Sequence, residues 1–322
     1  MKEALKIIFL GTPEFAVDSL RILVNHGFNI PAVVTAPDQP AGRGQIMQSP
    51  PVKEYATRHR LKVLQPIKLK DPGFIDELNK LQADLFIVVA FRMLPEVVWK
   101  MPRMGTFNLH ASLLPQYRGA APINHVIING ETETGLTTFF LKQEIDTGEI
   151  IFQERMPIHP EETAGELHDR MKIAGAELVL KTTEALFAGN ISTKEQRSLI
   201  DHSAPLKTAP KIFRENCLID WTKSTDDIFN KIRGLSPYPA AFTFFTSPAG
   251  ETTLVKIFKT RKSTVDNTFR ASIIVTDGKS NLSVTTGDGN LHIQEIQQAG
   301  KKTMKIEEFL RGFNINSDWK VG

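Results

Sequence analysis

Residues 85–90, Leu-Phe-Ile-Val-Val-Ala, narrow the folds open to this chain more than any other stretch. The run is short, rich in β-branched residues and lacks polar alternation, so it reads as a strand covered on both faces. Such strands belong to parallel sheets flanked by helices. Residues 6–10 (Lys-Ile-Ile-Phe-Leu) read the same way, and Gly11-Thr12-Pro13 follows them. Phe15, Leu20, Leu23 and Val24 then fall at helical spacing, with Gly27 to end the helix. Thr12 is expected to cap this helix and Pro13 to occupy its first turn. Further strands are expected at 30–35 and near Val63, and helices at 52–60 and 74–81. Strand, tight turn, helix and strand open a doubly wound α/β domain. The turn lacks the three spaced glycines of a dinucleotide site, which argues against NAD.

The 322 residues suffice for two cores. Large apolar residues thin out over 190–210, which reads as a linker between a domain at 1–189 and another at 211–322. The second holds a helix at 225–233 and short β-rich segments at 254–260, 270–276, 282–285 and 291–297. Asp277-Gly278 and Asp288-Gly289 supply turns, and the spacing suggests a small barrel. In the first, 134–141 and 149–156 are β-rich, and Thr163-Ala164-Gly165-Glu166 is a capping box opening a helix that runs to Gly189. The single cysteine, Cys217, excludes an internal disulfide, and no Cys/His cluster has metal-site spacing. The longest apolar run falls far short of the ~20 residues that cross a bilayer, and the N-terminus reads neither as signal nor as transit peptide. A monomer in a reduced cytoplasm, away from membranes, is the expected state. Net charge is only +3, yet residues 205–322 carry 17 Lys and Arg against 12 Asp and Glu. A basic C-terminal third suits a polyanionic partner.

The chemistry is expected within 105–119, Gly-Thr-Phe-Asn-Leu-His-Ala-Ser-Leu-Leu-Pro-Gln-Tyr-Arg-Gly. Its first half alternates Phe107 and Leu109 with Asn108 and His110, so the two polar side chains share one face of a strand. An amide donor and an imidazole that titrates near neutrality then stand together at a strand's C-terminal end, where open α/β sheets bind ligands. A strand whose polar pair satisfies nearby loop backbone would have the same pattern. Residues 36–50 carry three prolines and two glycines, which forbid regular structure and mark a long loop. Within it Arg43 lies between Gly42 and Gly44, free to approach a phosphate closely.

Asn108-x-His110-x-Ser112-Leu113-Leu114-Pro115 followed by Tyr117-x-Gly119 resembles the signature of the folate-dependent formyltransferases. Asp146-Thr147-Gly148-Glu149-Ile150 is similar to that family's acidic motif, although an Asp before a Gly is also an ordinary turn residue. The resemblance covers nearly the whole chain. It implies a Rossmann-like, doubly wound, mostly parallel sheet and a smaller OB-like barrel at the C-terminus. It further implies 10-formyltetrahydrofolate as formyl donor and co-substrate, no metal, and a catalytic trio of Asn108, His110 and Asp146. Ser112, Leu113, Leu114 and Pro115 are expected to shape the folate side of the cleft. The 37–44 loop is similar to that of the branch whose acceptor is methionyl initiator tRNA, which places Gly42, Arg43 and Gly44 at the tRNA. Lys207, Lys211, Lys256, Lys259, Lys301, Lys302 and Lys305 are the candidate tRNA-binding cations of the basic region. Two departures stand out. Gln45-Ile46-Met47 replaces the lysines that often follow Gly-Arg-Gly, and Arg92 replaces a glycine in the 91–95 loop near the folate ring pocket, where a solvent-facing side chain is compatible with the pattern. An amino-sugar nucleotide acceptor, or water, would make use of the same trio.

Overall fold

The computed structural model describes residues 5–41, 46–201, 205–263 and 270–322. Gly42, Arg43 and Gly44 lie outside the described residues. The chain forms two compact units, and both are discontinuous in sequence. The first comprises Met1–Gly119, Thr134–Met156 and His168–Thr208; the second comprises Ala120–Glu133, Pro157–Leu167 and Ala209–Gly322.

In the first unit the strands are β1 (Lys6–Gly11), β2 (Asn29–Val34), β3 (Val63–Leu64), β4 (Leu85–Val89), β5 (Thr106–His110), β6 (Glu133–Phe140) and β7 (Ile150–Pro157). They form one sheet in the order β3-β2-β1-β4-β5-β6-β7. All pairs from β3 to β5 are parallel, and β6 runs antiparallel to β5. This is the doubly wound order, with its reversal between β1 and β4. Every residue of β4 is buried, as expected for a strand covered on both sides. Ile8, Leu10, Phe86 and Val88 pack on one side with Phe74 and Leu78 of the helix Pro72–Leu81. Burying each such side chain contributes roughly 1.5–3 kcal/mol.

Two local expectations need correction. The helix Glu14–Asn25 is capped at Pro13 with no side-chain hydrogen bond, so Thr12 is not its cap. The Pro13 carbonyl instead receives the Ala16 N–H at 3.0 Å. The 36–50 stretch is not wholly irregular either, because Gln39–Ala41 pairs antiparallel with Ile46–Gln48. Three residues on each side suffice for a ladder. Proline tolerates such a short edge pairing, where only one of its neighbours needs a backbone donor.

The second unit contains β8 (Ala241–Thr246), β9 (Thr252–Lys262), β10 (Ile274–Thr276), β11 (Leu282–Thr285), β12 (Asn290–Gln298), β13 (Met304–Lys305) and β14 (Lys320–Val321). The sheet order is β10-β11-β12-β9-β8-β14, with β13 added on β12. An isolated bridge between Ile273 and Lys320 brings the first strand of this path to the last, so the sheet is nearly closed into a barrel. Trp221, Phe245, Val255, Ile257 and Ile296 fill its core, and the buried indole N–H of Trp221 donates to Thr243 Oγ1 at 3.0 Å. The helix Thr225–Leu235 packs on Pro122–Ile128 within this unit. Strand β8 and the helix Ile306–Gly312 were not expected from the sequence. The Phe-Thr-Phe-Phe run of β8 carried a β signal, and Ile306, Phe309 and Leu310 carried helical spacing.

Candidate active site

Strand β5 sets the site. It lies between parallel β4 and antiparallel β6, with Asn108 opposite Val88 on one side and Phe139 on the other. Phe107 and Leu109 are almost wholly buried. The helix Ala164–Ala188 presses on that side so closely that a Cβ on Gly175 would fall 2.8 Å from Leu109 Cδ2. Asn108 and His110 therefore project from the opposite face, at the C-terminal end of a strand in a doubly wound sheet. Asn108 is half-buried and His110 buried.

The state of His110 follows from its partners. Its Nε2 lies 2.9 Å from the Tyr117 carbonyl, which can only accept, so Nε2 carries a proton. In the neutral ring Nδ1 is then the basic nitrogen. Nδ1 lies 3.8 Å from Asp146 Oδ2, beyond a direct hydrogen bond.

Asp146 reaches this position from an unusual turn. Its φ is 55°, in the left-handed region that non-glycine residues seldom occupy. The Gly119 N–H donates to its carboxylate at 3.0 Å. Two residues on, Gly148 leaves no space for a side chain, since a Cβ there would fall 1.5 Å from the Phe140 carbonyl oxygen. Gly148→Ala is therefore expected to displace the turn at a cost of about 1–3 kcal/mol. Thermal melts and initial rates check this: both melting temperature and turnover should fall.

The turn after β5 is packed tightly. Ser112 and Leu114 are buried, and Pro115 is buried with them. Thr137 Oγ1 donates to the Ser112 carbonyl at 2.6 Å and receives the Leu114 N–H at 3.2 Å. Gln153 donates to the Leu114 carbonyl at 2.8 Å, while Ser112 Oγ donates to the Gln116 carbonyl at 2.7 Å. Leu114 joins Phe139 and Ile150 in a small core. Leu113 is the half-buried member of the four.

Arg92 does not face solvent. It is half-buried and donates to the Ile67 carbonyl at 2.9 Å and to the Pro66 carbonyl. Burial pulls its guanidinium below the ordinary range. The base of the 39–48 hairpin is held by Asp38, which receives hydrogen bonds from Lys53 (2.6 Å), Gln65 (2.8 Å) and Ser49 (3.3 Å). The hydrogen bond from Gln65, and then that from Lys53, holds the Asp38 carboxyl below its usual range. Sequence reasoning missed this residue because its three donors come from separate elements.

Lys207 is exposed, and its backbone is tied to the turn after β5. Its carbonyl receives the Tyr117 N–H at 2.7 Å and its own N–H donates to Gln116 Oε1 at 2.8 Å. Lys211 is exposed, with Nζ 5.5 Å from the Phe213 ring centroid. Among the described residues no group of three His, Cys, Asp or Glu side chains could hold a metal ion, and no helix is long and apolar enough to cross a membrane.

The comparisons with known proteins fit this geometry. Residues 5–183 match the formyl transferase family, and residues 211–314 match the formyl transferase C-terminal domain. A methionyl-tRNA formyltransferase of Bacteroides fragilis is 52% identical over 320 residues, covering 99% of this chain and 98% of the relative. That of Parabacteroides distasonis is 51% identical over 322 residues, covering 100% and 99%. Among solved structures, an N-formyltransferase from Helicobacter canadensis, in complex with folinic acid and dTDP-3-aminofucose, aligns with a TM-score of 0.65. It is 22% identical and covers 91% of this chain and 99% of that one, a likeness of fold. With both domains matched and half of all residues shared across the full length, this chain belongs to the methionyl-tRNA formyltransferase family.

Proposed function

We propose that the protein transfers the formyl group of 10-formyltetrahydrofolate to the α-amino group of methionyl initiator tRNA. The observation that carries this reading is the placement of Asn108, His110 and Asp146 around one strand end, in a chain half identical to named methionyl-tRNA formyltransferases over its full length.

Transfer begins when the uncharged methionyl nitrogen attacks the formyl carbon. A free α-amine has a pKa near ~8, so an appreciable fraction is reactive at neutral pH. Negative charge gathers on the formyl oxygen, and the Asn108 amide donates to it. A preorganised donor of this kind is worth roughly 3–4 kcal/mol. The tetrahedral intermediate carries a surplus proton on the incoming nitrogen. His110 Nδ1 accepts that proton while Nε2–H stays on the Tyr117 carbonyl, and the Asp146 carboxylate stabilises the imidazolium. The bond from formyl carbon to folate N10 then breaks, the carbonyl reforms, and His110 returns the proton to N10. Tetrahydrofolate and formylmethionyl-tRNA leave, and no step calls for a metal.

Ser112, Leu113, Leu114 and Pro115 shape the folate side of the cleft. The basic C-terminal region supplies a platform for the tRNA backbone, with Lys207 and Lys211 among its cations, and Gly42, Arg43 and Gly44 address the acceptor end.

One assay separates the acceptors. Labelled 10-formyltetrahydrofolate is offered with methionyl-tRNA, with a 4-amino sugar nucleotide, or alone. Label on methionyl-tRNA is expected; label on the sugar or as free formate overturns the reading. Arg43→Ala is expected to raise KM for methionyl-tRNA about 10-fold, the scale of one hydrogen bond to a charged group, and to leave KM for the folate unchanged. Equal tRNA kinetics in wild type and variant, at several salt concentrations, would remove Arg43 from the interface.

A further inference from the structure

The Asp146 turn is held by a side chain distant in sequence. Gln196, in the short helical turn Gln196–Leu199, is only 3% exposed. Its Nε2 donates to the Asp146 carbonyl and to the Gly148 carbonyl, each at 2.8 Å. Its Oε1 receives both Nε and Nη2 of Arg118, at 3.1 and 2.6 Å. Because the guanidinium only donates and the two carbonyls only accept, one orientation of the amide satisfies all four contacts. Arg118 immediately precedes Gly119, whose N–H holds the Asp146 carboxylate. Burial draws the Arg118 guanidinium below its ordinary range, while the carboxylates of Asp146 and Glu144 act the other way. Nearby, Lys194 exchanges backbone hydrogen bonds with Ile150 at 2.8 and 2.9 Å, and Thr193 Oγ1 donates to Glu149 at 2.6 Å. Residues 193–196 are thus seated along the whole 146–150 turn.

We propose that Gln196, oriented by Arg118, is a positioning residue that fixes the Asp146 carboxylate against His110. The proposal rests on the reading of Asp146 as the partner of the catalytic histidine. A left-handed aspartate persists only where its surroundings over-determine it. Here the backbone on either side of Thr147 is pinned by one amide, and the carboxylate by Gly119. The carboxamide of glutamine supplies two donors to carbonyls and one acceptor to arginine from a single planar group. The 190–201 segment therefore contributes to catalysis without touching substrate.

Gln196→Glu tests this. The substitution is isosteric and keeps the acceptor for Arg118, but it offers no donor to the two carbonyls. We expect kcat to fall about 10- to 100-fold, the scale of a misplaced catalytic group, while KM for the folate and for methionyl-tRNA stays within about 2-fold. The same substitution is then made in an Asp146→Ala background. If Gln196 acts through Asp146, it has no further effect on kcat there. Wild-type kcat in Gln196→Glu, or a full additional loss in the Asp146→Ala background, overturns the proposal. Wild-type turnover in Asp146→Ala alone would instead overturn the role given to Asp146, so the two failures are distinct. Melting temperature is recorded for each protein. If Gln196→Glu does not fold, Gln196→Ala takes its place with the same two outcomes.

Discussion

Replacing His110 by alanine is expected to lower kcat by about 10²–10⁴-fold, the range found when a positioned acid–base group is removed. The ring has two tasks that alanine abolishes together. In the proposed mechanism Nδ1 relays the proton from the methionyl nitrogen to folate N10, while Nε2–H donates to the Tyr117 carbonyl. The second loss removes a buried hydrogen bond and costs about 0.5–1.5 kcal/mol of stability. A second variant separates the two. In His110→Gln the amide can still donate toward Tyr117 but cannot take up a proton, so it should recover melting temperature without recovering activity. Single-turnover rates with excess enzyme, read beside circular dichroism and melts, decide the matter. A folded His110→Ala protein with near-wild-type turnover would remove the histidine from the mechanism.

Asn108→Ala is expected to lower kcat by about 10²–10³-fold, as for loss of one oxyanion donor, with KM for either substrate changed little. In the proposed mechanism the amide contributes mainly once charge has gathered on the formyl oxygen, so its loss should appear in the chemical step. The half-buried side chain is short, and its removal should hardly move the melting temperature. Asn108→Asp gives the sharper contrast. It keeps size and shape, yet it replaces a donor with an anion facing the developing charge. Activity should fall at least as far as in the alanine variant. Equal losses in kcat/KM that arise from KM alone would assign Asn108 to ground-state binding.

What the sequence made legible was periodic. The uninterrupted run of β4, the alternation Phe107-Asn108-Leu109-His110 and the Thr163–Glu166 capping box each express a single-element rule, and the structure contains all three. Contacts between elements left no such trace. Nothing in the spacing showed that Asp38 would gather donors from positions 49, 53 and 65, or that Arg92 would turn inward to two carbonyls. Thr12 failed as a cap because a proline next to a helix start can serve as the boundary itself. Gln196 was invisible for a further reason. It lies in a stretch poor in large apolar residues, where a lone buried amide cannot be told from the polar residues around it.

The interleaving of the two units bears on how such a chain can be inherited. The helix Pro122–Ile128 follows five strands of the first unit's sheet and precedes the other two, yet it packs on Thr225–Leu235 in the unit built mainly from the C-terminal third. Ile128 of that helix packs against the core of this unit, and the Asn124 amide donates to the Gly234 carbonyl at 2.7 Å. A recombination event that swapped everything after residue 210 for a foreign module would leave those side chains facing a surface they never evolved to meet. The two halves are in this sense committed to one another, and variation in one must be tolerated by the same few residues of the other.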